Sequence, residues 1–456
     1  MAFDYPHILR NYIYPLSQSI RKRDYLRMMD EASHNQFLSR EELMSIQFEK
    51  LAKLVRHAFE TVPYYQRTYR EKGIHPEDIK TWDDYKKLPT LSKDQYRENY
   101  KEFISTQPST PLYTMGTSGS TGIPTNFFLD QNSSAAANIS RIRALQWWGI
   151  KLGEREMRMW GDISPLMPDK LAAIKRRWKR FYSDRLMNRR TFSANTISEE
   201  YLEELWRFMR HYRPEYIFGY AMFIFSFASY IHNQGYDGTR LGLKAAIVSA
   251  ENLFDSQFET IRNVFNCPVV NEYGSTECGV IAYDHPCGEF HMMDDFLVSE
   301  IIKPNPEDEY GELVVTPLEN WGSPLIRYNL QDLVTQADTQ GNCSLNLGLS
   351  SIKNILGRNN DLIRLPDGRL VHGNTIATSM KFLPNIHQFQ IVQNKTDSLQ
   401  MLLVTELGKL SADEEDYLRG KLRENMGGIE IDFILVEEIP REDSGKFRFI
   451  RSEIQD

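Results

Sequence analysis

The sequence predicts a large α/β domain with a helical N-terminal cap, followed by a small α+β domain. Three observations carry this. The chain has 456 residues, more than one ordinary core accommodates, so at least two domains are expected. In the middle of the chain, β-prone segments such as LKAAIVSAENL and CPVVNEYGSTE end in polar residues and alternate with helical patterns. This is the signature of a sheet with ligands at its edge. Beyond about Asp361 the pattern changes to short strands around one helix.

Composition narrows the class. Hydrophobic residues make up 41% and charged residues 25%, as in a soluble globular protein. The net charge of −8 argues against nucleic acid as a general partner. Four cysteines in a chain of this length make no disulfide framework and suit a reducing, cytoplasmic setting. MAFDYPHILRNYIYPL lacks a basic-then-apolar signal pattern. The most apolar run, Tyr216 to Ile231, falls short of the ~20 residues that span a bilayer, so no membrane span is expected and the run reads as a buried helix.

In chain order, residues 1 to about 100 read as helices and polar loops. LMSIQFEKLAKLVRHAF carries apolar residues at helical spacing, and Pro63 and Gly73 punctuate the segment after it. YTMGTSGSTGIPTNFFLD, at 113–130, sets two β-prone segments around a Gly/Ser/Thr loop closed by Pro124. Its glycines let the backbone turn, and its N–H groups and hydroxyls can surround a phosphate. GxxxxGK[ST] is absent, so this is not the NTPase P-loop, and a flexible hairpin turn is the plain alternative. SSAAANISRIRALQWWGI reads as a helix ending near Trp147 and Trp148. KRRWKRF at 175–181 reads ordinarily as a solvated helix face, with contact to an anionic surface as the alternative. Ala245 to Ser249 and the segment ending at Tyr273 read as strands. ELVVTPLE and PLIRYNLQDLV add more, and a boundary falls at 357–361. IHQFQIVQN, SLQMLLVTE and IDFILVEE then supply strands and SADEEDYLRGKLREN a helix, before PREDSGKFRF presents Lys446 in a Pro/Gly/Ser loop.

TSGSTGIP resembles the phosphate loop of the adenylate-forming enzymes: acyl-CoA synthetases, luciferases and peptide-synthetase adenylation domains. NEYGSTE at 271–277, IRYNLQD at 326–332, GRNNDLIR at 357–364 and PREDSGK at 440–446 come in the order expected of the phenylacetate–CoA ligase and CapK-like branch. The resemblance implies the adenylate-forming enzyme fold, with an adenylation domain at 1–356, a hinge at 357–361 and a mobile C-terminal domain at 362–456. It implies that Thr117, Ser118, Gly119, Ser120, Thr121 and Gly122 hold the β- and γ-phosphates of ATP. Tyr273, in Tyr273-Gly274-Ser275, would lie against the adenine, with Thr276 on the α-phosphate and Glu277 on Mg2+. Ser249, Ala250 and Glu251 would line the adenine, Asp332 would grip the ribose and Arg358 would meet ribose or phosphate. Lys446 would stabilise charge at the α-phosphate and carboxylate. The physics agrees at two points: a hard cation bridging phosphates wants a carboxylate, and an ammonium stabilises developing negative charge.

Three departures stand out. Ile123-Pro124 occupies the place of the Lys that closes the loop in other branches. Asn329, Leu330 and Gln331 replace the family's Y-x-T-G-D context around the retained Asp332, and Asn360 stands where the pivoting Asp of the hinge is usual.

Cys278, His285, Cys287 and His291 fall within 14 residues, with Cys343 later. Cys278, His285, Cys287 and Cys343, with His291 as alternative ligand, suit a structural Zn2+, while small buried cysteines are the plain alternative. An acid pocket is expected between the helix carrying Trp147 and Trp148 and the FGYAMF segment, with Trp160, Phe218, Tyr220 and Met222 as candidate walls; at these spacings such residues are more often plain core.

The expected function is ATP-dependent activation of a small-molecule carboxylic acid to an acyl-adenylate with pyrophosphate release. Transfer to CoA or a carrier-protein thiol completes the reaction, with amide formation in polysaccharide tailoring as a rival acceptor chemistry. A non-catalytic nucleotide-binding protein and a phosphate-loop ATPase of another fold are the rivals of different kind, and a homodimer is left open.

Overall fold

A computed structural model describes residues 4–116, 125–161, 170–195, 197–337, 347–358, 362–367, 370–372, 383, 385–440, 447–452 and 454. The chain divides into two compact units. The first comprises Met1–Arg155, Tyr182–Arg189 and Val270–Ile355; the second comprises Glu156–Phe181, Arg190–Val269 and Leu356–Asp456. One crossing, Ile355 to Leu356, thus lies beside the hinge expected at 357–361, and the segment 1–356 contributes to both units.

In the first unit, the helical cap is built around the helix Arg40–Thr61. Ser39 and Glu42 form a reciprocal capping box that satisfies two orphan N–H groups at its start. Leu43, Leu51, Leu54, Val55 and Ala58 form its buried face. The antiparallel strands β1 (Tyr113–Gly116) and β2 (Asn126–Leu129) pair Gly116 with Asn126. The helix Gln131–Trp147 begins at Asp130, whose Oδ1 accepts from Ser133 N at 2.9 Å. Its Oδ2 accepts from Trp321 N at 2.9 Å and Gly322 N at 3.0 Å. Burial raises the Asp130 carboxyl above its ordinary range, and these backbone donors oppose the rise.

Seven strands form the sheet of this unit: β7 (Val269–Ser275), β8 (Gly279–Asp284), β9 (Phe290–Met292), β10 (Leu297–Ile302), β11 (Tyr310–Pro317), β12 (Tyr328–Gln336) and β13 (Ser351–Arg358). They lie in the order β10-β11-β12-β13-β9-β8-β7. The helix Gln131–Trp147 is tied down by Arg143, which donates to Asp295 at 2.7 and 3.0 Å with both side chains 1% exposed.

The second unit carries parallel strands β3 (Glu156–Trp160), β5 (Tyr216–Tyr220) and β6 (Ala245–Ser249), with β4 (Arg189–Ser193) beyond β3. Met157, Ile217, Phe223, Phe227 and Val248 are part of its core. The apolar run at 216–231 is not one helix. It is β5 followed directly by the helix Ala221–Asn233, with extended backbone at Tyr220. A parallel strand buried on both faces is apolar throughout and cannot be told from a buried helix by periodicity. Gly219 is required there, since a Cβ would stand 2.5 Å from Met159 O.

The C-terminal part matches the strands and helix expected. Sheet order is β18-β17-β16-β19, with β16 Ile386–Lys395, β17 Ser398–Thr405, β18 Glu430–Leu435 and β19 Ile450–Ser452. The small hairpin β14 (Leu362–Arg364) and β15 (Leu370–His372) precedes it. The helix Ala412–Met426 contributes Leu418 and Leu422 to a core with Ile391, Met401 and Leu403.

Candidate functional site: the turn after β7 and its neighbours

The β7–β8 hairpin is closed by Thr276-Glu277-Cys278. Gly279 has φ +76°, the left-handed backbone such turns favour. At Gly274 a Cβ would stand 2.4 Å from Gly279 O, so the two arms close only because this residue has no side chain. Ser275 Oγ accepts from Cys278 N at 3.0 Å and fixes the turn. Thr276 is half-buried at its head.

Glu277 is 7% exposed. Among the described residues its one hydrogen bond comes from Tyr328 Oη at 3.3 Å, and no cation pairs with it. A buried carboxylate ordinarily carries a cation or several donors. The vacant acceptor capacity here, all hard oxygen, fits Mg2+.

Four positions upstream, Tyr273 Oη donates to Asp332 Oδ2 at 2.5 Å. The structure therefore brings together Tyr273, Glu277 and Asp332, drawn from two separate motifs. Asp332 is aimed by an irregularity in β12: pairing with β11 shifts register between Glu312 and Val314, so Leu330-Gln331-Asp332 faces a shorter stretch of β11. Gln331 takes φ +61°, and its N–H donates to Asn329 Oδ1 at 2.8 Å.

In the second unit, Ser249 ends β6 and Ala250 takes φ +69°. Non-glycine residues in this region carry strain that clusters at ligand sites. Glu251, expected to line the adenine, makes two hydrogen bonds within this unit. Its Oε2 accepts from Met222 N at 2.8 Å, completing the uncapped start of the helix Ala221–Asn233, and its Oε1 accepts from Phe447 N at 2.6 Å. Phe447 comes directly after Lys446 in the sequence. Gly357 takes φ +91°, with Asn252 Nδ2 2.9 Å from where its Cβ would be. Thr117, Ser118, Gly119, Ser120, Thr121, Gly122, the Arg358 side chain, the hinge residues 359–361, Cys343 and Lys446 lie outside the described residues.

His285, Cys287 and His291 form a second cluster, with ligand atoms all within 4.8 Å of one another. Cys287 Sγ lies 3.5 Å from His291 Nε2. Burial first, then His291, lowers His285 to about 4, which keeps an imidazole neutral and ready to bind metal. Cys278 is not in this group. The residues between it and His285 form the extended strand β8, and a six-residue strand spans about 20 Å. Burial first, then Glu277, raises the Cys278 thiol. His291, the alternative ligand, joins the cluster because β9 is antiparallel to β8, pairing His291 with Tyr283.

Trp147 stands edge-on to His285 at 5.1 Å and donates through Nε1 to Gln36 at 3.0 Å, while Trp148 Nε1 donates to Asp284 O at 2.8 Å. Both tryptophans thus pack at the His/Cys cluster. In the second unit, Trp160 lies 5.5 Å from Phe218 and 4.4 Å from Tyr220, ring to ring, leaving these aromatics as the candidate acid wall. Met222 is buried with Ile439 and Phe447.

Two contributors escaped the sequence reading. Tyr328, inside IRYNLQD, hydrogen-bonds Glu277. Asp130, three residues before a serine at the close of the loop hairpin, had an N-cap signal that could have found it.

Comparison with known proteins places the chain among relatives by sequence and by fold. Residues 363–453 match the CapK C-terminal domain. Protein CapK of Staphylococcus aureus is 26% identical over 424 residues, covering 91% of this chain and 90% of that protein. A phenylacetate-coenzyme A ligase of Aromatoleum evansii is 27% identical over 308 residues, 65% of this chain and 67% of the other. The fold matches 2-hydroxyisobutyryl-CoA ligase in the postadenylation state, in complex with R3-HIB-AMP. The TM-score is 0.74, with 18% identity and 92% of each chain covered. The chain belongs to the adenylate-forming acid–CoA ligase superfamily of enzymes, in its phenylacetate–CoA ligase/CapK branch.

Proposed function

We propose that this chain uses Mg·ATP to convert a carboxylic acid to an acyl-adenylate and passes the acyl group to a thiol, CoA or a carrier protein. The observation that carries the reading is Glu277: a buried carboxylate at the head of a glycine-closed turn, with no cation among the described residues. Glu277 would hold Mg2+, which when bound offsets phosphate charge.

The chemistry is dictated by the leaving groups. A free carboxylate resists attack because oxide would have to leave. Its oxygen instead attacks the α-phosphorus, the bond to the β-phosphate oxygen breaks, and pyrophosphate departs. A thiolate then attacks the acyl carbon and AMP leaves with the bonding pair. Thr117 to Gly122 would cradle the β- and γ-phosphates, and Thr276 and Lys446 would meet the α-phosphate. Asp332 would accept from the ribose hydroxyls, and the Tyr273 ring would lie on the adenine. Ser249, Ala250 and Glu251 would border the base and Arg358 the ribose or phosphate. These interactions position reactants and stabilise charge, which is most of what such displacements need. After adenylation the C-terminal domain would rotate at 357–361, withdrawing Lys446 and admitting the thiol.

The relatives named as CoA ligases support a thiol acceptor. A structural Zn2+ would be held by His285, Cys287 and His291, with Cys343 proposed as a fourth ligand; such an ion would act as a staple between the segments that carry them.

The deciding experiment is pyrophosphate release from ATP over a panel of aryl, fatty, hydroxy and amino acids, with CoA and hydroxylamine as separate acceptors. Release that depends on one acid class, with thioester formed from CoA, is expected. ATP binding without release for any acid would overturn the catalytic reading, and amide formed from an amine in preference to thioester would overturn the acceptor. Lys446→Ala is expected to abolish adenylation while sparing thioester formation from preformed acyl-adenylate. Equal loss of both half-reactions would remove Lys446 from its role.

A further inference from the structure

We propose that residues 170–181 of the helix Lys170–Leu186 form an interfacial docking surface for a membrane rich in anionic lipid. The helix reads KLAAIKRRWKRFYSDRL. Leu171, Ile174, Trp178 and Phe181 are spaced by three, four and three residues. At 100° per residue they fall on one stripe about 80° wide. All four are exposed, at 61, 50, 56 and 47%. Trp178 and Phe181 meet edge to face at 6.0 Å, so they present one continuous aromatic surface.

The charge around this stripe is of one sign. Lys170, Lys175, Arg176, Arg177, Lys179 and Arg180 are all cationic, and no acidic residue occurs from 170 to 181. Lys175 and Lys179 lie on one side of the stripe and Lys170 and Arg177 on the other. Five of the six are exposed, Arg180 being half-buried. The whole chain carries −8, so this is a local reversal of the protein's field.

A bilayer surface of anionic headgroups answers both features. Apolar and aromatic side chains enter the acyl boundary, and lysine and arginine stems extend the cations to the phosphates. A second copy of the helix would answer only the apolar stripe and would set six cations against six. A polyanion without an apolar layer would answer only the charge.

The test is co-sedimentation of the full chain with vesicles of phosphatidylcholine alone and of phosphatidylcholine with phosphatidylglycerol, at low and high salt. Association is expected with the anionic vesicles only, and weaker at high salt. Two variants separate the features: Trp178→Glu with Phe181→Glu, and Lys175→Glu with Arg176→Glu and Lys179→Glu. The charge variant should lower association by about a hundredfold, since each lost cation alone is worth about a factor of five; the aromatic variant should lower it by about tenfold or more, because neither ring can then enter the acyl boundary. The altered side chains are exposed, so melting temperatures should hold; should the aromatic pair fail to fold, the charge variant decides alone. No association with anionic vesicles, equal association with neutral ones, or wild-type association of the charge variant would overturn the proposal. So would a dimer in the absence of lipid that the aromatic variant dissociates, which would assign the stripe to a second copy.

Discussion

Glu277 and Asp295 are both carboxylates buried in the first unit, at 7% and 1% exposure, and they are treated oppositely. Asp295 receives two hydrogen bonds from Arg143, itself fully buried, so its charge is compensated within the fold. Among the described residues, Glu277 receives one hydrogen bond, from a neutral phenol at 3.3 Å, and no cation. A carboxylate whose role is to hold the structure together finds its cation in the chain; one that keeps acceptor capacity has it available for a ligand. The contrast separates architecture from site without reference to any relative.

Removing one partner of the paired site breaks the comparison most severely. Asp295→Asn should strand the Arg143 guanidinium and lower stability by about 3–5 kcal/mol. Replacing both, as Arg143→Met with Asp295→Leu, should recover most of it, because the desolvation of both charges is removed as well. Denaturant unfolding of the three variants measures this. Equal damage from the double variant would mean that Arg143 acts through Ala32 O and Met293, which it also contacts, rather than through the ion pair.

Glu277→Gln is the counterpart. It keeps the shape and the bond from Tyr328, so unfolding free energy should move by no more than about 0.5 kcal/mol. Pyrophosphate release should fall by about 10²–10³-fold, the usual effect of losing one preorganised charge-stabilising group, and the Mg2+ concentration for half-maximal rate should rise. A stability loss comparable to that of Asp295→Asn would place Glu277 among the structural carboxylates and remove the main support for the site.

The His/Cys cluster is a third arrangement: His285 and His291 are buried and Cys287 half-buried, with their ligand atoms within 4.8 Å of one another, and the metal proposed for it can be tested directly. Metal analysis of the purified chain should find about one equivalent of Zn2+, lost in Cys287→Ser, and a chelator should lower the melting temperature. Cys278→Ser should leave metal content unchanged. Loss of metal in Cys278→Ser would contradict the separation imposed by β8.

How legible this was in the sequence differs by kind of feature. Elements carried by local pattern read correctly: Ala245 to Ser249 is strand β6 to the residue, and the strands and helix beyond 385 stand where periodicity put them. Glu277 was singled out by the resemblance of NEYGSTE to a family motif, whereas the need for Gly274 and Gly279 at its turn appears only in the structure. Features set by partners distant in the chain were not legible. The commitment of Glu251 to Met222 and Phe447 depends on a segment almost 200 positions later. The ligand spacing Cys278-x6-His285 looked compact because spacing says nothing of whether the intervening residues turn or extend. The boundary between strand and helix at Tyr220 was lost in a run that is apolar on both sides.

The smallest expected effect sharpens how the Asp332 carboxylate is aimed. Gln331 departs from the glycine of the family pattern, yet it takes φ +61°, the conformation that glycine adopts without strain. The left-handed region costs an ordinary L-residue about 1–2 kcal/mol. Asn329 offsets part of this by accepting from Gln331 N at 2.8 Å and anchoring itself on Glu312 at 2.6 Å. Gln331→Gly should therefore relieve strain while keeping that backbone bond. Against this stands the greater freedom of glycine in the unfolded chain, about 0.5–1 kcal/mol. The net gain should be about 0.5 kcal/mol, measured by urea unfolding, with the KM for ATP unchanged because Asp332 keeps its bond from Tyr273. Asn329→Ala should be destabilising in the native chain by about 1 kcal/mol and less so beside Gln331→Gly, since the strain that Asn329 offsets would be gone. If the two substitutions prove simply additive, the aim of Asp332 rests on the register shift with β11 alone and Asn329 has no part in it.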